Sequence, residues 1–236
     1  VRRAILSFSV LLFASVRAEA QGLLIEASGG YYGMTGAPNS TKAVFGSSGG
    51  PTVGLNVGYA LDNNFFFSAG GGYFSRDGER VFLASRSSTV FKLGHPLALR
   101  LIPLQATVGY RFAPRAPVPA RGRRPAAPQR LLTPYVGFGG GVLSYREEST
   151  VGGVTETDSR SKPSGHALAG LEIGRSRLRF AVEARYTLVP DSLGVGGVSK
   201  VYGENDIGGF TLSGKLVFLS GAKEKRRAPP PGRRWH

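Results

Sequence analysis

The feature that most constrains this chain is a two-residue hydrophobic period that recurs in six of eight strand-like runs. It is clearest in residues 207–220, where Phe210, Leu212, Gly214, Leu216 and Phe218 alternate with Thr211, Ser213, Lys215 and Val217. Successive side chains of a strand point to opposite faces, so this run has one apolar face and one mostly polar face with a cation at its middle. A soluble sandwich strand could show the pattern once. Its repetition narrows the choice.

The run at 22–34 sets Leu23, Ile25, Ala27, Gly29 and Tyr31 against Leu24, Glu26, Ser28, Gly30 and Tyr32. The run at 52–61 sets Val53, Leu55, Val57 and Tyr59 against Thr52, Gly54, Asn56 and Gly58. In 99–112 the sets are Ile102, Leu104, Ala106, Val108, Tyr110 and Phe112 against Gln105, Thr107, Gly109 and Arg111. In 165–174 they are Ala167, Ala169, Leu171 and Ile173 against His166, Gly170 and Glu172. In 179–189, Phe180, Val182, Ala184, Tyr186 and Leu188 oppose Ala181, Glu183, Arg185 and Thr187. Two further runs, 65–75 and 132–145, are too aromatic or too glycine-rich for their faces to be assigned. No window shows a helical period.

Eight strands is an even number, and most runs reach the roughly 9–11 residues that a tilted strand needs to cross a bilayer. Connections alternate in length. Long ones are expected at 35–51, 76–98, 147–163 and 190–206, and short turns at 62–64 and 175–178. The expected fold is therefore all-β: an eight-stranded antiparallel up-and-down transmembrane β-barrel over residues 21–220.

What precedes the first run agrees with export. Residues 1–20 carry Arg2 and Arg3, then an apolar stretch from Ala4 to Val16, then Ala18-Glu19-Ala20 as a small-residue cleavage site. That is the layout of a secretory signal peptide. Cysteine is absent, which excludes disulfides, thiolate metal sites and a lipoprotein anchor. The formal charge of +15 invites a nucleic-acid reading, but its location does not support one. The tail 221–236 carries a net +5, the Pro- and Arg-rich insert at 113–131 another +5, and the first twenty residues +2, leaving +3 for the rest. The basicity belongs to extended, disordered-type appendages on the periplasmic side, and export removes the chain from nucleic acid. The short tail leaves no room for a peptidoglycan-binding domain, so a single barrel domain is expected.

The Ile102-Pro103-Leu104 entry to the fourth strand, Pro134-Tyr135-Val136-Gly137 in the fifth, and the aromatic-ended last strand resemble the eight-stranded outer-membrane barrels of the OmpA and OmpX type. The resemblance covers about residues 21–220. It implies integral residence in the outer membrane, with outer-membrane lipid as the surrounding partner. It also implies recognition of the closing strand, at Phe218, by the barrel-assembly machinery. The insert at 113–131 and the residues after Phe218 depart from the family pattern.

In such a barrel the apolar face meets lipid, where an Arg or Lys at midplane costs roughly 2–4 kcal/mol. Tyr31, Tyr59, Tyr110, Phe112, Phe180, Tyr186, Phe210 and Phe218 are expected to face lipid. Glu26, Glu172, Glu183, Arg185 and Lys215 all fall on the opposite face, on four consecutive staves and at similar depth. They are expected to form one paired cluster filling the lumen, since unpaired charges there would be costly.

Catalysis finds little support. His95, His166 and His236 are the histidines, and neither Ser144 nor Ser164 stands at a spacing that requires a nucleophile–base pair with His166, which reads as a polar residue at the lumen mouth. No phosphate loop or metal-spaced cluster occurs, and no cofactor is expected. The reading is a monomeric, non-enzymatic barrel with a structural or surface-interaction role through polar external loops. The alternatives are a narrow channel for small solutes or ions, and an exported soluble barrel holding an apolar ligand.

Overall fold

A computed structural model describes residues 20–83, 89–112, 132–174, 177–194 and 196–220. The strands are β1 (Ala20–Gly33), β2 (Gly49–Leu61), β3 (Phe65–Leu83), β4 (Val90–Arg111), β5 (Leu132–Val151), β6 (Val154–Ile173), β7 (Leu178–Leu188) and β8 (Gly209–Leu219). Each pairs antiparallel with the next, and β8 closes on β1 with Leu24 opposite Leu219 and Gly33 opposite Phe210. The protein is an all-β, eight-stranded, up-and-down barrel. Two short helices, α1 (Pro38–Phe45) and α2 (Gly197–Tyr202), sit in the β1–β2 and β7–β8 connections. The export signal apart from Ala20, the insert at 113–131, residues 175 and 176 of the expected turn, and the tail from 221 lie outside the described residues.

The alternation sets which way each strand faces. On β8, Phe210, Leu212, Leu216 and Phe218 are 41–52% exposed, while Ser213, Lys215 and Val217 are buried. The two strands that sequence left unassigned follow the same rule. On β3, Phe66, Ser68 and Phe74 turn inward and Phe65, Phe67 and Tyr73 outward. On β5, Tyr135 and Leu143 turn inward and Val136, Phe138 and Val142 outward. Glycine makes room for the large inward rings. A Cβ on Gly170 would lie 2.3 Å from Cζ of Tyr135, the residue one strand away that lies over it.

Two of the expected long loops are not loops. Segments 76–98 and 147–163 mostly continue as strand, so the β3–β4 and β5–β6 hairpins stand well beyond the apolar band. The β5–β6 hairpin closes through Gly152 and Gly153 at φ +58° and +83°, the left-handed pair that a two-residue hairpin turn requires. These segments carry charged and polar residues among scattered apolar ones, so no regular hydrophobic period remains although backbone pairing continues, from Val151 opposite Val154 downward. Charged partners replace the apolar ones, as in Lys92–Glu79 at 3.2 Å and Arg80–Glu156 at 3.5 Å.

The core is inside the barrel and comes in two apolar layers. Towards the short-turn end, Leu24, Phe66, Tyr135, Leu168, Ala181 and Val217 pack together. Towards the long-connection end, Tyr32, Met34, Phe74, Leu99, Leu101, Leu143, Val189 and Ile207 form the second layer. The lumen is filled by both apolar packing and charge.

Candidate functional site

Lys215 is the centre of the ionic network. Its ammonium lies 2.5 Å from the Glu183 carboxylate and 3.3 Å from that of Glu26, and all three side chains are 2–5% exposed. Glu183 also takes a guanidinium from Arg185 at 3.0 Å and the Tyr135 hydroxyl at 3.0 Å. Arg185 reaches across the lumen to donate to Gln105 Oε1 at 2.7 Å, and the Asn56 amide donates to Glu26 at 3.4 Å. Two carboxylates thus face two cations, and six strands contribute. Shared partners keep each buried charge compensated, which is the condition under which such groups are tolerated in a low-dielectric interior.

Glu172 does not join this network. Glu183 stands opposite Gly170, so Glu172 lies two residues nearer the short-turn end, a difference in height that the expectation of similar depth passed over. Its partners there are Arg111 at 2.6 Å and Arg179 at 3.1 Å. The expectation of one cluster of five is therefore corrected to two networks. An aromatic bridge links them: Arg111 lies 4.5 Å over the Phe66 ring, Phe66 meets Tyr135 edge-to-face at 6.1 Å, and Lys215 stands 5.9 Å from the Tyr135 centroid.

Sequence reasoning did not put Tyr135, Asn56, Gln105, Arg111 or Arg179 in the site. Asn56, Gln105 and Arg111 already stood in polar sets, so their parity was a usable signal. Tyr135 gave none, because its glycine-rich strand could not be faced.

His166 is not at the lumen mouth. It is buried in the wall with its Nε2 2.9 Å from Thr107 Oγ1. Ser164, on the same face, is buried too, whereas Ser144, opposite Ile102, belongs to the outward row. Among the described residues no group of three or more His, Asp or Glu assembles that could hold a metal ion.

Above the Lys215 network is a cavity of about 90 Å³ lined by Ser28, Asn56, Gln105, Arg185 and Ser213. Tyr32, Phe74, Leu101 and Leu143 bound its other side, so the second apolar layer stands between this chamber and the long-connection end. That layer is tied to the connections above it. The Tyr32 hydroxyl donates to the Ile207 carbonyl at 2.6 Å. Glu204 accepts from the Asn39 and Ser40 amides at 2.9 and 2.8 Å and from Ser40 Oγ at 2.5 Å, capping the first turn of α1 from the α2 side.

Beyond this latch, α1 and α2 face the extended β3–β6 sheet across a second cavity of about 350 Å³. Leu97, Leu99 and Ile207 make its apolar floor, and Arg80, Glu147, Asp158 and Arg160 stand on its wall. Arg160 pairs with Asp158 at 2.7 Å, and Glu147 accepts from the Tyr145 hydroxyl. Loops and hairpins build this concave surface.

The aromatic residues expected to meet lipid lie on the outer face. Tyr31, Tyr59, Phe112, Phe180, Tyr186, Phe210 and Phe218 are 41–62% exposed, and Tyr110 is half-buried between Phe65 and Phe112. Phe65, Tyr110, Phe112, Phe180 and Phe218 gather at the short-turn end, and Tyr31, Tyr73, Tyr186 and Phe210 nearer the other. Two aromatic girdles flanking an apolar band are the surface of a membrane-spanning barrel.

Comparison with known proteins agrees. Residues 6–212 match the model of the outer membrane protein β-barrel domain family. Among solved structures, Neisserial surface protein A is similar at 14% identity with a TM-score of 0.49, over 85% of this chain and 99% of that one. Ail of Yersinia pestis, in complex with the heparin analogue sucrose octasulfate, is similar at 14% identity with a TM-score of 0.42, over 85% and 99%. The N-terminal barrel of Pseudomonas aeruginosa OprF is similar at 15% identity with a TM-score of 0.39, over 84% and 98%. None of these structural likenesses bears on function, and no curated protein matches. With a closed eight-stranded barrel, an outward apolar band and a family match over most of its length, the chain belongs to the outer membrane protein β-barrel domain family.

Proposed function

We propose that this outer-membrane barrel is a non-catalytic, monomeric surface protein that contacts an extracellular ligand through the cup at its long-connection end. The observation that carries the reading is the 350 Å³ cavity between the two loop helices and the extended hairpins. Its size falls within the range of small-ligand sites, and it joins an apolar floor to a few polar groups. In barrels of this kind short turns lie in the periplasm and long connections outside, which puts the cup on the cell surface. The lumen networks serve as a plug that holds the frame rigid. Delivery runs through a signal cleaved after Ala20.

A narrow channel is the second reading, favoured by the 90 Å³ chamber in mid-lumen. Against it stand the paired charges below the chamber and the apolar layer above it, which an ion would have to cross unsolvated. Two experiments separate the readings. Cells displaying the protein are compared with cells displaying a variant whose 35–48 and 190–208 connections are replaced by short turns, scored for attachment to protein-coated surfaces and for self-association. The purified barrel is examined in planar bilayers. Loop-dependent attachment without unitary conductance supports the surface role. Conductance with no loop-dependent attachment overturns it in favour of the channel.

A further inference from the structure

On the outside of the barrel, Arg100 of β4 and Arg146 of β5 stand directly opposite each other. Both share the outward row of their strands, with Ile102 and Leu104 on one and Val142 on the other. Like charges directly opposite are unfavourable in a sheet unless something negative lies between them. Among the described residues Glu148, from one step further out, forms ion pairs with both, reaching Arg146 at 2.6 Å and Arg100 at 3.7 Å. The two arginine side chains remain 45% and 52% exposed, and each guanidinium has donors beyond those that meet Glu148.

Their height on the barrel identifies what they meet. From Phe112 in the lower girdle to Ile102 is ten residues of β4. At about 3.3 Å per residue and a tilt of about 40°, those residues climb about 25 Å, the height of the apolar band of such barrels. Arg100 is the next outward residue above Ile102, and Arg146 is level with it. The pair therefore sits at the first polar layer above the acyl chains. Its flanking outward residues are Ser75, opposite Arg100 on β3, and Ser159, opposite Arg146 on β6. One step further out, Asp77 and Glu148 form an acidic tier on either side of Ala98. A basic tier with hydroxyls on both flanks, under an acidic tier, fits a phosphate headgroup at the depth of its own acyl chains. A soluble anion would instead meet the acidic tier first.

We propose that Arg100 and Arg146 form a binding site for the phosphate of an outer-leaflet glycolipid, the two guanidiniums clasping it from adjacent strands with Ser75 and Ser159 at its edges. Arginine forks match phosphate geometry with paired charge-assisted hydrogen bonds. In the absence of lipid Glu148 occupies the clasp, and the phosphate displaces it.

The test uses the full chain folded in nanodiscs of zwitterionic lipid containing a small fraction of either diphosphorylated lipid A or its dephosphorylated form. Lipid retained by the protein is counted by native mass spectrometry, and folding is checked by heat-modifiable gel migration. The wild type is expected to retain the phosphorylated form at least about tenfold more strongly, and R100A/R146A to lose that preference. Arg146→Gln alone weakens it, and Glu148→Gln preserves or strengthens it by removing the competitor. Equal retention of the two lipids by the wild type, unchanged preference in R100A/R146A, or loss of preference in Glu148→Gln would each overturn the proposal.

Discussion

Replacing Lys215 with methionine keeps most of the side chain's length and removes its charge, which isolates the ionic contribution. The ammonium is 3% exposed and serves two carboxylates, Glu183 at 2.5 Å and Glu26 at 3.3 Å. After the change the two acids fare differently. Glu183 keeps Arg185 and the Tyr135 hydroxyl, both at 3.0 Å. Glu26 keeps only the Asn56 amide at 3.4 Å, so a buried carboxylate is left without a cation. Breaking a buried pair by removing one partner costs about 3–5 kcal/mol. Lys215→Met is therefore expected to lower stability by that amount, read from guanidinium unfolding of the refolded barrel in lipid vesicles. Adding Glu26→Gln removes the stranded charge, and the double variant is expected to recover about 1–3 kcal/mol relative to Lys215→Met. A Lys215→Met midpoint within about 0.5 kcal/mol of wild type would refute the account, because surface-like changes fall in that range. Simple addition of the two single costs would refute it too.

Two other expectations follow from single contacts. Glu204→Ala removes the acceptor of three hydrogen bonds at the start of α1, a cap whose loss costs about 1–2 kcal/mol; the Asn39 and Ser40 amides should exchange hydrogen faster, and unchanged exchange at both would count against the latch. Gly170→Ala puts a methyl 2.3 Å from Tyr135 Cζ, so the ring must move away from Glu183; a loss of about 1–3 kcal/mol in guanidinium unfolding is expected.

The barrel was legible because lipid imposes a strict two-residue period, and that period is written in strands such as β1, β4, β7 and β8. It failed where the lipid stops. Above the apolar band, residues 76–83 and 147–151 are strand without apolar alternation, and sequence reads them as loop. It failed again where glycine replaces side chains, so that Tyr135 could not be faced and its bond to Glu183 was not anticipated. The charged residues were found by parity together with a rough common depth, which does not resolve a step of two residues. Strand stagger then separated Glu172 from Glu183. The upper apolar layer was missed because Met34, Val189 and Ile207 lie just beyond strand ends, where packing with Phe45 of α1 and with Leu193 accompanies their burial.

The central claim is that the apolar row of each strand meets lipid while the charged row is sealed inside. With no native cysteine, single-cysteine variants along 210–218 can carry one spin label each. In vesicles, collision with oxygen, which concentrates in the acyl region, is expected to be high at 210, 212, 216 and 218 and low at 211, 213, 215 and 217. The inverse pattern, or no two-residue alternation at all, would contradict the membrane-spanning barrel.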